Sequence, residues 1–308
     1  MKTVPAGAAL VLAGISGASS AVQSAINARL ADRIDDAVLA AVLNIVVGAV
    51  IVALTVPFMP TARAGLRRLR GAALPWWAYL GGLCGAFFVT SAAATVPTLG
   101  VAVFSIAQVA GGGVGGLAID RAGLAPIGRL AVTGPRLAGT ALGVAAVVLS
   151  QIGRPAGQVV PAVLAFALAG GVAVAFQTAL NGRVSAVSTT AAGTAVNFAV
   201  NTPVMLLLAV AIVTVGPGWP DTWPGEWYLY LGGLLSVVIV TILVISVHAV
   251  GVLRTGLATV AGQLAGAVLL DVLLPGGPGV SATLLAGAVL TMLAVVVAGR
   301  GRAAARLE

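Results

Sequence analysis

Apolar stretches of roughly 18 to 24 residues, each long enough to cross a hydrocarbon core of about 30 Å, follow one another along almost the whole chain. They run over residues 4–28, 37–58, 75–96, 99–119, 135–152, 159–182, 191–214, 227–247, 252–271 and 280–298. Only 8% of the 308 residues are charged, whereas a water-soluble domain carries about a quarter. A soluble protein of this length could not cover its own core with so few charges. The expectation is therefore an all-α membrane protein of ten transmembrane helices. Two neighbouring pairs of stretches nearly touch, and the breaks between them rest on Pro97 with Gly100 and on His248 with Gly251. The first stretch, from Val4 to about Asn27, is too long for a signal-peptide core and is expected to be the first helix.

The formal charge of +8 does not point to nucleic acid, because the arginines stand in short connections between apolar spans, where membrane orientation accounts for them. Thirteen of the sixteen Lys and Arg fall on the side of the N-terminus in a ten-span chain; Arg29, Arg33 and Arg154 fall on the other. By this bias both termini face the cytoplasm of an inner membrane. One cysteine, Cys84, and one histidine, His248, leave no intramolecular disulfide and no multi-histidine or cysteine metal site. No cofactor is expected.

An internal repeat fixes the organisation further. Gln23, Asn27 and Arg29 recur as Gln177, Asn181 and Arg183 at a shift of 154, and Asn44 recurs as Asn197 at 153. Tyr79-Leu-Gly-Gly82 recurs as Tyr230-Leu-Gly-Gly233 at 151, as do Gly111 as Gly262 and Asp120 as Asp271. Two copies of five spans follow, 1–153 and 154–308. Five is odd, so the second copy enters the membrane from the opposite face, and the halves form an inverted repeat about an in-plane axis.

These repeated residues resemble the YdcZ-type proteins of the drug/metabolite transporter superfamily, short five-helix inner-membrane proteins. Gln23, Asn27 and Leu30 fit the first element of that pattern, Trp77, Gly81 and Gly82 the second, and Gly262, Gln263 and Asp271 the last. The first-half counterpart of Gln263 is Gly112, so any role of that glutamine rests on one copy. The resemblance implies transport, with export as the expected direction, and names no substrate.

Several polar residues lie within the spans. Ser16, Ser20, Gln23 and Asn27 stand at helical steps on one face. Gln177 with Asn181, and Asn197 with Asn201, do the same. Amides in hydrocarbon need partners or water, so the candidate solute-binding residues are Gln23, Asn27, Asn44, Gln177, Asn181, Asn197 and Gln263. Gln23 and Gln177 are expected to face each other across a central cavity; the bland alternative is helix-to-helix glue. Arg29 and Arg183 read as snorkelling flanks or as gates at the two mouths. Asp120 and Asp271 close helices at the end where a carboxylate opposes the macrodipole, so each needs a compensating contact. The glycines at 111, 112, 115, 116, 262 and 266 read as close helix packing, the tryptophans as interfacial anchors, and His248 as a turn residue. No acidic residue or lysine lies mid-span, which argues against antiport of lipophilic cations.

The function expected is transport of a small-molecule substrate in contact with membrane lipids, by alternating access. The alternative is a lipid or lipid-linked carrier, which predicts a groove open laterally to lipid. No nucleophile–base pair suggests an enzyme. The oligomeric state is not legible, and a monomer suffices.

Overall fold

The computed structural model describes residues 4–124, 129, 131–152, 160–215, 218–273 and 281–304, with the side chains of 151, 240–241, 244–245, 247–257 and 298–304 outside that description. Lys2, Arg154, Arg306 and the boundary between the halves at 153–154 lie outside the described residues, as do the side chains of His248, Arg254, Arg300 and Arg302.

Helix α1 spans Ala6–Ile34 and ends where Asp35 turns left-handed, at φ 50°, with its N–H bonded to Ala31 O. Asp36 then caps α2, Ala37–Thr55, through Oδ1, which accepts from Val38 N and Leu39 N at 2.8 Å each. A short carboxylate at this position satisfies backbone donors that the first helical turn leaves free. Helix α3, Pro60–Leu69, follows a 3₁₀ turn. A second 3₁₀ turn, Trp76–Leu80, opens α4, Gly81–Leu99. Gly100, at φ 79°, separates α4 from α5, Val101–Ala122. This is the break expected from Pro97 and Gly100, and the glycine carries it, in a conformation that costs other residues more. The chain continues as α6 (Gly134–Gln151), α7 (Pro161–Val187), α8 (Thr190–Val215), a 3₁₀ turn at Trp227–Tyr230, α9 (Gly232–Leu273) and α10 (Ala282–Ala304).

The described residues form helices and turns with no strand. Six helical segments are long and apolar enough to cross a membrane, and three shorter apolar helices, Gly134–Ser150, Ala258–Leu273 and Ala282–Val297, accompany them. Large apolar side chains stand exposed along these helices, among them Val11, Leu54, Val148, Leu207 and Val289, each more than 60% exposed. Such surfaces are sustained by lipid rather than by water.

Two elements depart from the sequence expectation. The arginine-rich connection after α2 is itself a helix, α3, because its small residues Ala62 and Gly65 recur at a helical step and are buried. The second is α9, assigned as one helix, Gly232–Leu273, across the expected break at His248–Gly251. Its path nevertheless turns back. Ser16 Oγ donates to Ile239 O, and Gly14 approaches Ala258 O. Nineteen residues of straight helix would rise about 28 Å, yet Gly14 and Ser16 are two residues apart. Along α1 the partners descend from Gln23 with Gly232 to Ser16 with Ile239, then ascend from Gly14 with Ala258 to Ala18 with Gly266.

Contacts between termini define two ends of the bundle. At one, Arg183 of α7 bonds the carbonyls that follow α5, and Thr189 bonds Thr61 of α3. We call it the basic end. At the other, the acidic end, Arg33 pairs with Glu226 at 2.9 Å, Asp271 meets the start of α5, and Thr283 bonds Ile152 O.

The two repeats lock into each other by matched contacts. Gly262 packs on Gly14, and Gly111 packs on Leu168. Gly17 packs on Thr259 O, and Gly171 on Gln108 O. Gly266 meets Ala18, and Gly115 meets Val172. In each case the second contact is the first with its residues replaced by their repeat counterparts. A Cβ at Gly17, Gly111, Gly171 or Gly262 would overlap a backbone carbonyl, so these glycines let helix backbones touch, as expected for small residues four apart.

Candidate functional site

Gln23 and Asn27, one turn apart on α1, meet the start of α9 and the middle of α2. Gln23 Nε2 donates to Gly232 O at 3.0 Å and to Ser236 Oγ. The Ser236 hydroxyl donates to Asn44 Oδ1 at 3.3 Å, and Asn44 Nδ2 donates to Asn27 Oδ1 at 2.9 Å. The result is one directed chain, Gln23 to Ser236 to Asn44 to Asn27, in which each bond polarises the next. All three amides are buried. Gly232 and Gly233 make the approach possible, since a side chain at either would strike Asn27 or Asn44.

The equivalent residues of the second repeat form a second cluster. Gln177 Nε2 and Asn181 Nδ2, both on α7, donate to the same atom, Asn197 Oδ1 on α8, at 3.2 and 3.0 Å. Gly81 and Gly82 take the places of Gly232 and Gly233, against Asn181 and the Asn197 backbone. Asn197 and Asn201 are buried, while Gln177 and Asn181 are only half-buried. The counterpart of Ser236 is Gly85, and Gln177 Nε2 fills the space a side chain there would need.

Gln23 and Gln177 thus hydrogen-bond in separate clusters and not to each other. Each closes on its own cluster, and between the clusters α2 packs on α8 with Gly48 against the Phe198 ring. Openings of about 310 and 300 Å³ lie elsewhere. The first is an apolar groove between α9 and α10, lined by residues such as Leu264, Val268 and Met292, with no side chain able to recognise a headgroup. The second, at the acidic end, is polar and is bordered by Arg33, Asp35, Asp36, Trp219 and Asp221.

Gln263 stands apart from both clusters. It donates to Gln108 Oε1 across the α5–α9 seam, so its partner comes from the first repeat but not from its own repeat position, Gly112. Gln108 carried no signal in the sequence comparison because its repeat counterpart is Thr259. Ser236 was missed for the same reason: its counterpart is glycine, and only residues present twice stand out. On the same α5 helix Ser105 Oγ is fully buried without a hydrogen-bond partner among the described residues, as is Ser246 Oγ of α9.

The two helix-ending carboxylates find different compensation. Asp271 caps the start of α5, accepting from Val101 N and Ala102 N at 3.1 Å each, so it sits at the positive end of a neighbouring helix. Asp120 forms a buried ion pair with Arg136, which also donates to Ala131 O at 3.0 Å. The repeated arginines differ too. Arg29 is exposed. Arg183 donates to Gly123 O and Leu124 O at 2.6 Å each and lies over the Trp77 ring at 5.0 Å, closing the last turn of α5. Trp76, Trp219 and Trp227 are largely exposed near helix ends, as interfacial anchors are.

No curated protein shows significant similarity to the chain. Residues 8–149 and 162–297 match the family described as "Putative inner membrane exporter, YdcZ". The match falls once on each repeat and covers nearly the whole length. The chain, an all-helical protein with membrane-length apolar helices, thus belongs to the YdcZ family of inner membrane exporters.

Proposed function

We propose that the chain exports a small solute by alternating access, using ten spans arranged as two five-span halves, 1–153 and 154–308, inserted in opposite orientations. Both termini face the cytoplasm in this reading, so the basic end is the inner one. The observation that carries it is the reciprocity of contacts between the repeats. The glycine contacts between the repeats each coexist with their repeat counterpart, as an isologous two-fold arrangement requires, and an odd number of spans per copy turns that two-fold into an inversion. The turning path of α9 supports two spans within it. The amide clusters then stand toward opposite mouths, with Gln23, Asn27 and Asn44 at the outer one and Gln177, Asn181 and Asn197 at the inner one. Gln263 belongs to the seam between the repeats. Opening one cluster while the other stays closed moves access from one side to the other, and the freed amides hydrogen-bond the solute.

The test uses sidedness and needs no known substrate. In a Cys84→Ser background, Gly85→Cys and Ser236→Cys are labelled in vesicles of known orientation with a membrane-impermeant maleimide. Labelling of Gly85→Cys from the cytoplasmic side and of Ser236→Cys from the opposite side is the expected result. Labelling of both from the same side would refute the inverted arrangement. Efflux from proteoliposomes preloaded with solute panels, at varied pH and sodium, then identifies the substrate and its coupling.

A further inference from the structure

We propose that α3 is a docking surface for the headgroups of anionic phospholipids. The helix has two dissimilar faces. Ala62 and Gly65 are buried, and Gly65 lies against Thr189 and Ala192 at the start of α8. Thr189 Oγ1 also donates to Thr61 O at 3.2 Å, so α3 is held along the basic end rather than free in solvent. Arg63, Arg67 and Arg70 follow at steps of four and three, which sets them in one row along the helix, turned away from the buried pair. Arg68 flanks the row, and all four arginines are exposed. None of the four enters an ion pair among the described residues.

Among the described residues no acidic side chain neutralises this row. Six of the eight acidic residues, Asp32, Asp35, Asp36, Asp221, Glu226 and Asp271, stand at the acidic end. Asp120, at the basic end, is taken by Arg136. The chain also enters α3 through two uncovered apolar residues, Phe58 at 84% and Met59 at 40% exposure. An amphipathic helix with apolar residues at its entry and basic residues along one face lies in the plane of a bilayer interface. All four charges are arginine, whose planar fork holds a phosphate through two parallel hydrogen bonds. The matching connection in the second repeat, after α8, carries Trp219, Asp221, Trp223 and Glu226 instead. The surface therefore exists once per molecule.

Because α3 packs on the start of α8, two turns before Asn197, a bound headgroup would clamp the end of the molecule next to the inner amide cluster. The docking itself requires only that the protein is embedded in a bilayer, so it stands apart from the transport mechanism.

The experiment counts bound lipids. Full-length protein in nonionic detergent is offered equal amounts of phosphatidylglycerol and phosphatidylcholine, and retained lipids are counted by native mass spectrometry. The expected result is a preference for phosphatidylglycerol of about tenfold or more, given the attraction of each basic residue to an anionic surface. Arg63→Gln with Arg67→Gln and Arg70→Gln should bring the ratio near one, whereas Arg29→Gln, an exposed arginine outside α3, should leave it unchanged. A ratio that survives the triple substitution, or that falls equally with Arg29→Gln, overturns the proposal. Displacement of the lipid by a small excess of inorganic phosphate would reveal a free-anion site and overturns it as well. If the triple variant does not fold, wild-type protein at 1 M salt decides: screening shortens the reach of these charges to about 3 Å, and an undiminished preference there rules out α3.

Discussion

At the acidic end, Gln23 passes its hydrogen bond through Ser236 to Asn44 and on to Asn27. At the basic end, Gln177 and Asn181 converge on one oxygen of Asn197. The amides are the same in kind and in repeat position, and so are the glycines that admit them. What differs is a hydroxyl, present at Ser236 and missing at Gly85. With a hydroxyl donating to its oxygen, Asn44 turns its own N–H toward Asn27. Without one, Asn197 must accept from both neighbours, and the direction of the asparagine–asparagine bond reverses. The first arrangement buries all three amides, and the second leaves two of them half-buried. A single side chain thus sets the direction of hydrogen bonding within each cluster.

The largest expected effect separates the charged residues of the two repeats. Asp120→Ala leaves Arg136 buried without its partner and should cost about 3–5 kcal/mol. Asp271→Ala removes a helix cap and should cost about 0.5–2 kcal/mol. Thermal unfolding of both variants in one detergent measures the difference, and equal losses would mean that the two carboxylates do the same job.

A smaller effect tests the clusters themselves. Gln23→Ala strips the buried Gly232 carbonyl of the donor that Gln23 supplies and breaks the chain at its head, at about 1–3 kcal/mol. Gln177→Ala acts at a half-buried site and should cost about 1 kcal/mol or less. Transport should rank the other way: Gln177→Ala slows export in protein that remains folded, because its amide is the more available to solute. If Gln177→Ala lowers stability as much as Gln23→Ala and leaves export intact, the inner cluster is helix glue and the asymmetry has no functional meaning.

The smallest change is the sharpest. Gly85→Ser supplies the missing hydroxyl, and Gln177 must shift its flexible end to admit it. The expected outcome is an inner cluster closed like the outer one, with stability altered by less than about 1 kcal/mol and slower labelling of an inner-cluster cysteine. Unchanged labelling would show that the hydroxyl does not control closure.

Membrane character, the helical fold class and the twofold origin of the chain were legible from the sequence, because each depends on composition and on residues that recur at a fixed shift. So were the amides that form the clusters, since a glutamine or asparagine in an apolar span is costly wherever it stands. Long-range contact decided the rest. The sequence could not say that Gln23 and Gln177 turn to separate partners, because a repeat shift relates residues to their counterparts and carries no distance between them. Gln108, Ser236 and the Asp120–Arg136 pair escaped notice because each is present once. The arginine-rich connection read as a loop until burial of Ala62 and Gly65 against α8 made it a helix. Composition sets what a bilayer accepts, but a hydrogen bond is satisfied by whichever group the packed backbones bring within 3 Å, and only the tertiary structure chooses that group.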